Sequence, residues 1–238
     1  TKQLGESNAK LANTQQQLAT GKRMLSPADD PPAAAQVVGL NDAVSTLNQY
    51  QSNADAATTQ LTLENNTLTS VVNALQQAND LAVQGLNGTQ SATSRQGIAT
   101  QLQQILDQVQ SLANTQDSSG QYIFGGYQTG GPPVSSVGGT YIYSGDGGQR
   151  NVTIGPNQQI AVNDPGSQVF MNVPADGGGT QSIFKTLSDL VAGLQSNAPS
   201  QSSLNDIRAA LNQVLTVQTQ VGARLNVISS QQTNRSEE

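Results

Sequence analysis

Between Ala33 and Leu86 a seven-residue apolar repeat runs without a skip, with no proline and only Gly39 as an interior glycine before Gly85. One column reads Leu40, Leu47, Ala54, Leu61, Leu68, Leu75 and Ala82, and a second reads Val37, Val44, Gln51, Thr58, Asn65, Val72, Asn79 and Leu86. Such spacing places both columns on one face of a single helix, on the order of 80 Å long at about 1.5 Å per residue. A stripe that long is stable only against partner helices. Polar residues at Gln51, Thr58, Asn65 and Asn79 either fix the register of the seam or lie wet at its edge.

The partners are legible elsewhere. Leu4, Leu11, Leu18 and Leu25 recur every seven residues in an otherwise polar stretch, which predicts a thinly striped first helix. Ile98, Ile105 and Leu112, with Leu102 and Val109 beside them, predict a third helix from about Ser91 to Asn114. After Ile183, Leu187, Leu190, Val191 and Leu194 a last helix carries Leu204, Ile207, Leu211, Val214, Val221, Leu225 and Ile228. The expected rod seam is Leu40, Leu47, Leu61, Leu68 and Leu75 against Leu211, Val214, Val221 and Leu225.

Between Gly120 and Gly179 the character changes, because fifteen of the 23 glycines and six of the eight aromatics fall there. Tyr141–Tyr143, Asn151–Ile154, Gln159–Val162 and Val169–Met171 read as short strands. Tyr122, Phe124 and Tyr127 read as aromatic core over a hairpin. The fold class is therefore mainly α with an inserted β domain: a long-helix antiparallel bundle with helical halves at 1–119 and 181–238 flanking a small β-rich domain at 120–180.

Gly21 and the segment to Pro32 form the corner between the first two helices. Gly21 suits a left-handed helix end, and Asp30 followed by Pro31 is a start signal for the next helix. Adjacent Asp29 and Asp30 lack a nucleophile or cation beside them and predict no catalysis. With no histidine and no cysteine the commonest general base and the thiolate metal sites are missing, and no cofactor or metal is expected. Asp146-Gly147-Gly148 and Asp176-Gly177-Gly178-Gly179 lack the ordered carboxylates of a calcium loop and read as turns. A net charge of -6 with ten scattered Lys and Arg speaks against nucleic acid, and no apolar run is long enough to span a membrane. The opening at Thr1 and the close inside a helical pattern read as a piece of a longer chain.

Thr20-Gly21-Lys22-Arg23-Met24-Leu25-Ser26-Pro27-Ala28-Asp29-Asp30-Pro31 resembles the N-terminal signature of the bacterial axial flagellar proteins, flagellin and the hook-associated proteins. Gly222-Ala223-Arg224-Leu225-Asn226 resembles the C-terminal counterpart. Within that family, Gln121-Tyr122-Ile123-Phe124-Gly125-Gly126-Tyr127-Gln128-Thr129 is more similar to the hook-filament junction type than to flagellin. The resemblance implies a signature turn at Gly21, Arg23, Ser26, Asp29 and Asp30, and a structural, non-enzymatic subunit exported to the extracellular flagellum. It also implies partners: further copies of itself in a collar, the first hook-associated protein, flagellin and an export chaperone. Flagellin itself is the alternative within the family. From another class, an adhesin or fibre module would bind glycan through Tyr122, Tyr127, Tyr141 or Tyr143.

Overall fold

A computed structural model describes residues 2–21, 26 and 30–237, with side chains described for the same residues except 2, 4, 6 and 234–237. The chain divides into two compact units, Thr1–Tyr50 and Gln51–Glu238.

In the first unit, α1 spans Lys2–Thr20 and ends at Gly21, whose φ of +65° is the left-handed conformation that stops a helix. The long helix α2 spans Pro31–Leu86 and begins in this unit. Asp30 starts it: its Oδ1 accepts from the Ala33 N–H at 3.2 Å and its carbonyl from the Ala34 N–H at 2.9 Å, while Pro31 needs no acceptor. Arg23, Leu25 and Asp29, and the side chain of Leu4, lie outside the described residues.

The second unit holds the core. Along α2, burial alternates by three and four residues through Ala54, Ala57, Leu61, Glu64, Leu68, Val71, Leu75, Ala78, Ala82 and Gly85. Leu61, Leu68 and Leu75 thus line the interior as the spacing predicts. Of the companion column only Val72 is buried, with Leu86 packed half-buried against the core. Thr58, Asn65 and Asn79 are only half-buried and Gln51 is exposed, and the inner positions belong to Ala57, Glu64, Val71, Ala78 and Gly85. Small residues there let neighbouring helices approach: a Cβ added at Gly85 would stand 2.5 Å from Leu194 Cδ2.

Helix α3 spans Ala92–Ala113, with Ser91 accepting from the Ser94 N–H at its start. Helices α4 (Ile183–Gln195) and α5 (Gln201–Glu237) follow the strand-bearing segment. α3 packs mainly on α4, and α4 on α5. Asp55 pairs with Gln232, Thr69 with Gln218 and Asn79 with Arg208. Each step forward on α2 is matched by an equal step back on α5, so the two helices run antiparallel in one fixed register. On α5 the buried residues include Val214 and Val221, whereas Leu211 and Leu225 pack half-buried at the flank.

Residues 120–180 hold three separate antiparallel hairpins rather than one sheet. β1 (Val134–Val137) pairs with β2 (Thr140–Tyr143), β3 (Asn151–Gly155) with β4 (Gln158–Ala161), and β5 (Val173–Pro174) with β6 (Thr180–Gln181). The expected strand at Val169–Met171 is instead part of a π-helix, Ser167–Met171. Its two aliphatic or aromatic residues, Val169 and Phe170, are fully buried from one short turn, which an extended strand with alternating faces would not achieve. Ile123, Phe124, Ile154, Val169 and Phe170 join the same hydrophobic core as the helices.

Candidate assembly surface and buried ion cluster

The repeat that organises α2 does two different things along its length. From Ala54 onward its leucine column is buried through Leu61, Leu68, Leu75 and Ala82, but the positions before that are bare: Val37, Val38, Leu40, Val44 and Leu47 are all exposed, Leu40 by 65 %. Leu11 and Leu18 on α1 are likewise exposed. Leu40 and Leu47, expected as seam, are therefore exposed among the described residues. Aliphatic side chains at heptad spacing on a helix, left open to water, form a surface for other helices. Of the signature turn, the structure describes Gly21, Ser26 and Asp30, and Asp30 acts as the helix cap.

The aromatic residues divide differently from expectation. Phe124 is fully buried, edge-on to Phe170 at 5.1 Å, and Phe170 contacts Phe184, on which Tyr141 stacks at 5.0 Å. Tyr122 is half-buried, and Tyr127 is 64 % exposed with its hydroxyl donating to Gln149 O at 2.9 Å. The aromatic core is thus Phe124, Phe170, Phe184 and Tyr141, and Tyr127 is not part of it. Burial raises the hydroxyl pKa of both Tyr141 and Tyr143, and the Tyr143 hydroxyl lies 2.8 Å from Phe124 O.

The Gly125-Gly126 turn explains its glycines. Gly126 has φ +72°, and a Cβ there would run into Asp146. Asp146 Oδ1 accepts from the backbone N–H groups of Tyr127 and Gly148, each at 2.8 Å. The Asp146-Gly147-Gly148 stretch is accordingly a turn tied by its own carboxylate.

One constellation has no counterpart in the sequence reading. Glu64 on α2 and Asp164, after β4, are each 1 % exposed, and Arg224 on α5 meets them. Asp164 Oδ1 accepts from Arg224 Nη2 at 2.7 Å and from Gln149 Nε2 at 2.9 Å, and Glu64 Oε1 accepts from the Asp164 N–H at 3.0 Å. Beside them Asn163 Oδ1 takes the Arg150 N–H at 2.7 Å. Glu64 Oε2, Asp164 Oδ2 and Arg224 Nη1 are buried without partners. Burial first, and then the charge of Asp164, hold the Glu64 carboxyl well above the ordinary glutamate range. Arg224 lies within the Gly222–Asn226 stretch noted above, but its role facing Glu64 could be inferred only from the inner column that the alanines conceal.

Residues 1–129 match the family described as bacterial flagellin N-terminal helical region. Flagellar hook-associated protein 3 of Escherichia coli K12 is 31 % identical over 94 % of this chain and 76 % of its own length. The protein of the same name from Salmonella typhimurium LT2 is 32 % identical with the same coverage. Among solved structures, hook-associated protein 3 from Legionella pneumophila superposes with a TM-score of 0.78 over 84 % of this chain and 95 % of that one. At 21 % identity that likeness is one of fold.

Proposed function

The chain belongs to the flagellin-like family of flagellar hook-associated protein 3, and from that premise we propose how its geometry serves the flagellum. It is a structural subunit that joins the hook to the flagellin filament. The observation that carries the physical account is the change from covered to bare along one helix: the apolar repeat of α2 is filled internally from Ala54 onward and unfilled from Val37 to Leu47. A subunit made this way completes its seam only with other chains.

In this reading Leu11, Leu18, Val37, Leu40, Val44 and Leu47 face neighbouring subunits, which are further copies in a collar, the first hook-associated protein on one side and flagellin on the other. An export chaperone covers apolar helix surface before secretion, and the protein acts outside the cell. In this reading residues 120–180 are a small β-rich domain set between the two helical halves, and Gly21, Arg23, Ser26, Asp29 and Asp30 are the signature positions of the stretch between α1 and α2. No catalytic step is part of this function; relatives are named for a place in the flagellum rather than for a reaction.

Deleting the encoding gene tests the assignment. The expected phenotype is hooks without filaments and flagellin lost to the medium. Normal filaments on the deletion strain would refute it, and loss of flagellin subunits themselves, with the junction intact, would point to flagellin.

A further inference from the structure

We propose that Glu64, Asp164 and Arg224 form a proton-loaded latch, in which one proton held between two sealed carboxyls fastens the segment around Asp164 to helices α2 and α5, and loss of that proton loosens it. The inference goes beyond the junction role and does not depend on it.

The argument begins with a charge count. Two carboxyl groups and one guanidinium meet where Glu64 and Asp164 are both 1 % exposed. Arg224 is committed to Asp164 through the 2.7 Å contact, so a second negative charge on Glu64 has no cation of its own. An ionised carboxylate sealed in that way is strongly disfavoured, and the pair relieves it by retaining a proton. The groups facing Glu64 are Asp164 from the strand-bearing segment and Arg224 from α5; the other described acids of α2, Asp42, Asp55 and Asp80, are exposed. Glu64 Oε2 and Asp164 Oδ2 are both buried without a hydrogen-bond donor, so neither oxygen has a group that would stabilise a second negative charge.

What the latch holds follows from its connections. The Asp164 N–H and side chain tie residues 163–166 to α2 and α5, and Gly166, two residues on, donates to Phe124 O at 2.8 Å. Gln149 and Arg150 are bound to Asp164 and Asn163. Opening the latch therefore releases residues 149–166 ahead of α3 and α4, which share none of these contacts.

The sign is fixed by linkage. With its folded pKa above the unfolded value, Glu64 keeps a proton that the unfolded chain has already given up. The native state then binds more protons, and stability falls as pH rises from the ordinary glutamate value to the raised one, with no further change above it. Ionisation releases the proton to solvent, and no other bond changes.

Hydrogen exchange on the full chain between pH 4 and pH 9, a range that starts below the ordinary glutamate value, corrected for the intrinsic pH dependence of exchange, tests the latch. The expected result is a loss of protection of about tenfold or more at residues 149–166, the change that one unit of pKa displacement carries, with α3 and α4 unaffected. Glu64→Gln keeps the acceptor for the Asp164 N–H and removes the second acid, so its protection should not vary with pH. Asp164→Asn, which leaves Glu64 to pair with Arg224, should flatten the profile as well and serves if the first variant folds poorly. Wild-type protection that is flat with pH, a Glu64→Gln profile that matches wild type, or a loss spread evenly over all helices would overturn the proposal.

Discussion

Replacing the same residue at two points of one heptad column separates the two uses of α2. Leu68 is fully buried and Leu47 is 48 % exposed. Leu68→Ala removes a filled core side chain and leaves a cavity, at about 3–5 kcal/mol. For a folded unit of this size that lowers Tm by roughly 10 °C. Leu47→Ala removes little buried surface from the free chain and improves helix propensity, so its melt should shift by no more than about 0.5 kcal/mol. In the assembly the order reverses. A leucine buried against a neighbour contributes about 2 kcal/mol, so Leu47→Ala should weaken each subunit contact about 30-fold. Urea melts followed by circular dichroism read the first quantity, and the fraction of protein recovered in purified flagella rather than in the medium reads the second. Equal destabilisation of the free chain by the two substitutions, or wild-type incorporation of Leu47→Ala, would refute the division of labour along α2.

Five further substitutions probe the packing. Gly126→Ala should cost about 2 kcal/mol or more, because alanine at φ +72° is strained and its Cβ meets Asp146, while Gly130→Ala, with open space around it, should leave the melting temperature unchanged. Arg224→Met should cost roughly 3–5 kcal/mol at neutral pH by leaving two carboxyls without their cation, and adding Asp164→Asn should recover part of that loss in a double-mutant cycle. Ser91→Ala removes the acceptor 3.1 Å from the Ser94 N–H and should destabilise by about 1 kcal/mol in the same denaturant melts.

The helices were legible because burial of long aliphatic side chains leaves a period in the sequence. Leu61, Leu68 and Leu75 announced one column, and Ser91 and Asn114 marked the ends of α3 as its caps. The second column was not legible, since Ala57, Ala78 and Gly85 work by being small, and smallness at an interface looks like neutrality on a surface. Glu64 was hidden for the same reason, and a charged residue in a repeat reads as an outward position until its partners from a distant loop and helix are known. Val169–Met171 has strand-forming composition, yet packing of Phe170 between Phe124 and Phe184 prevails over that local preference and the segment coils. Tyr127 shows the converse: its ring is exposed although its neighbours in sequence, from Ile123 to Gly126, are buried.

The most direct test of the junction role is the position of the protein on the organelle. A label on the full-length protein in the bacterium that encodes it should give one signal per flagellum, at the boundary between hook and filament. Signal distributed along the filament, or absent from flagella that are otherwise complete, would contradict the account.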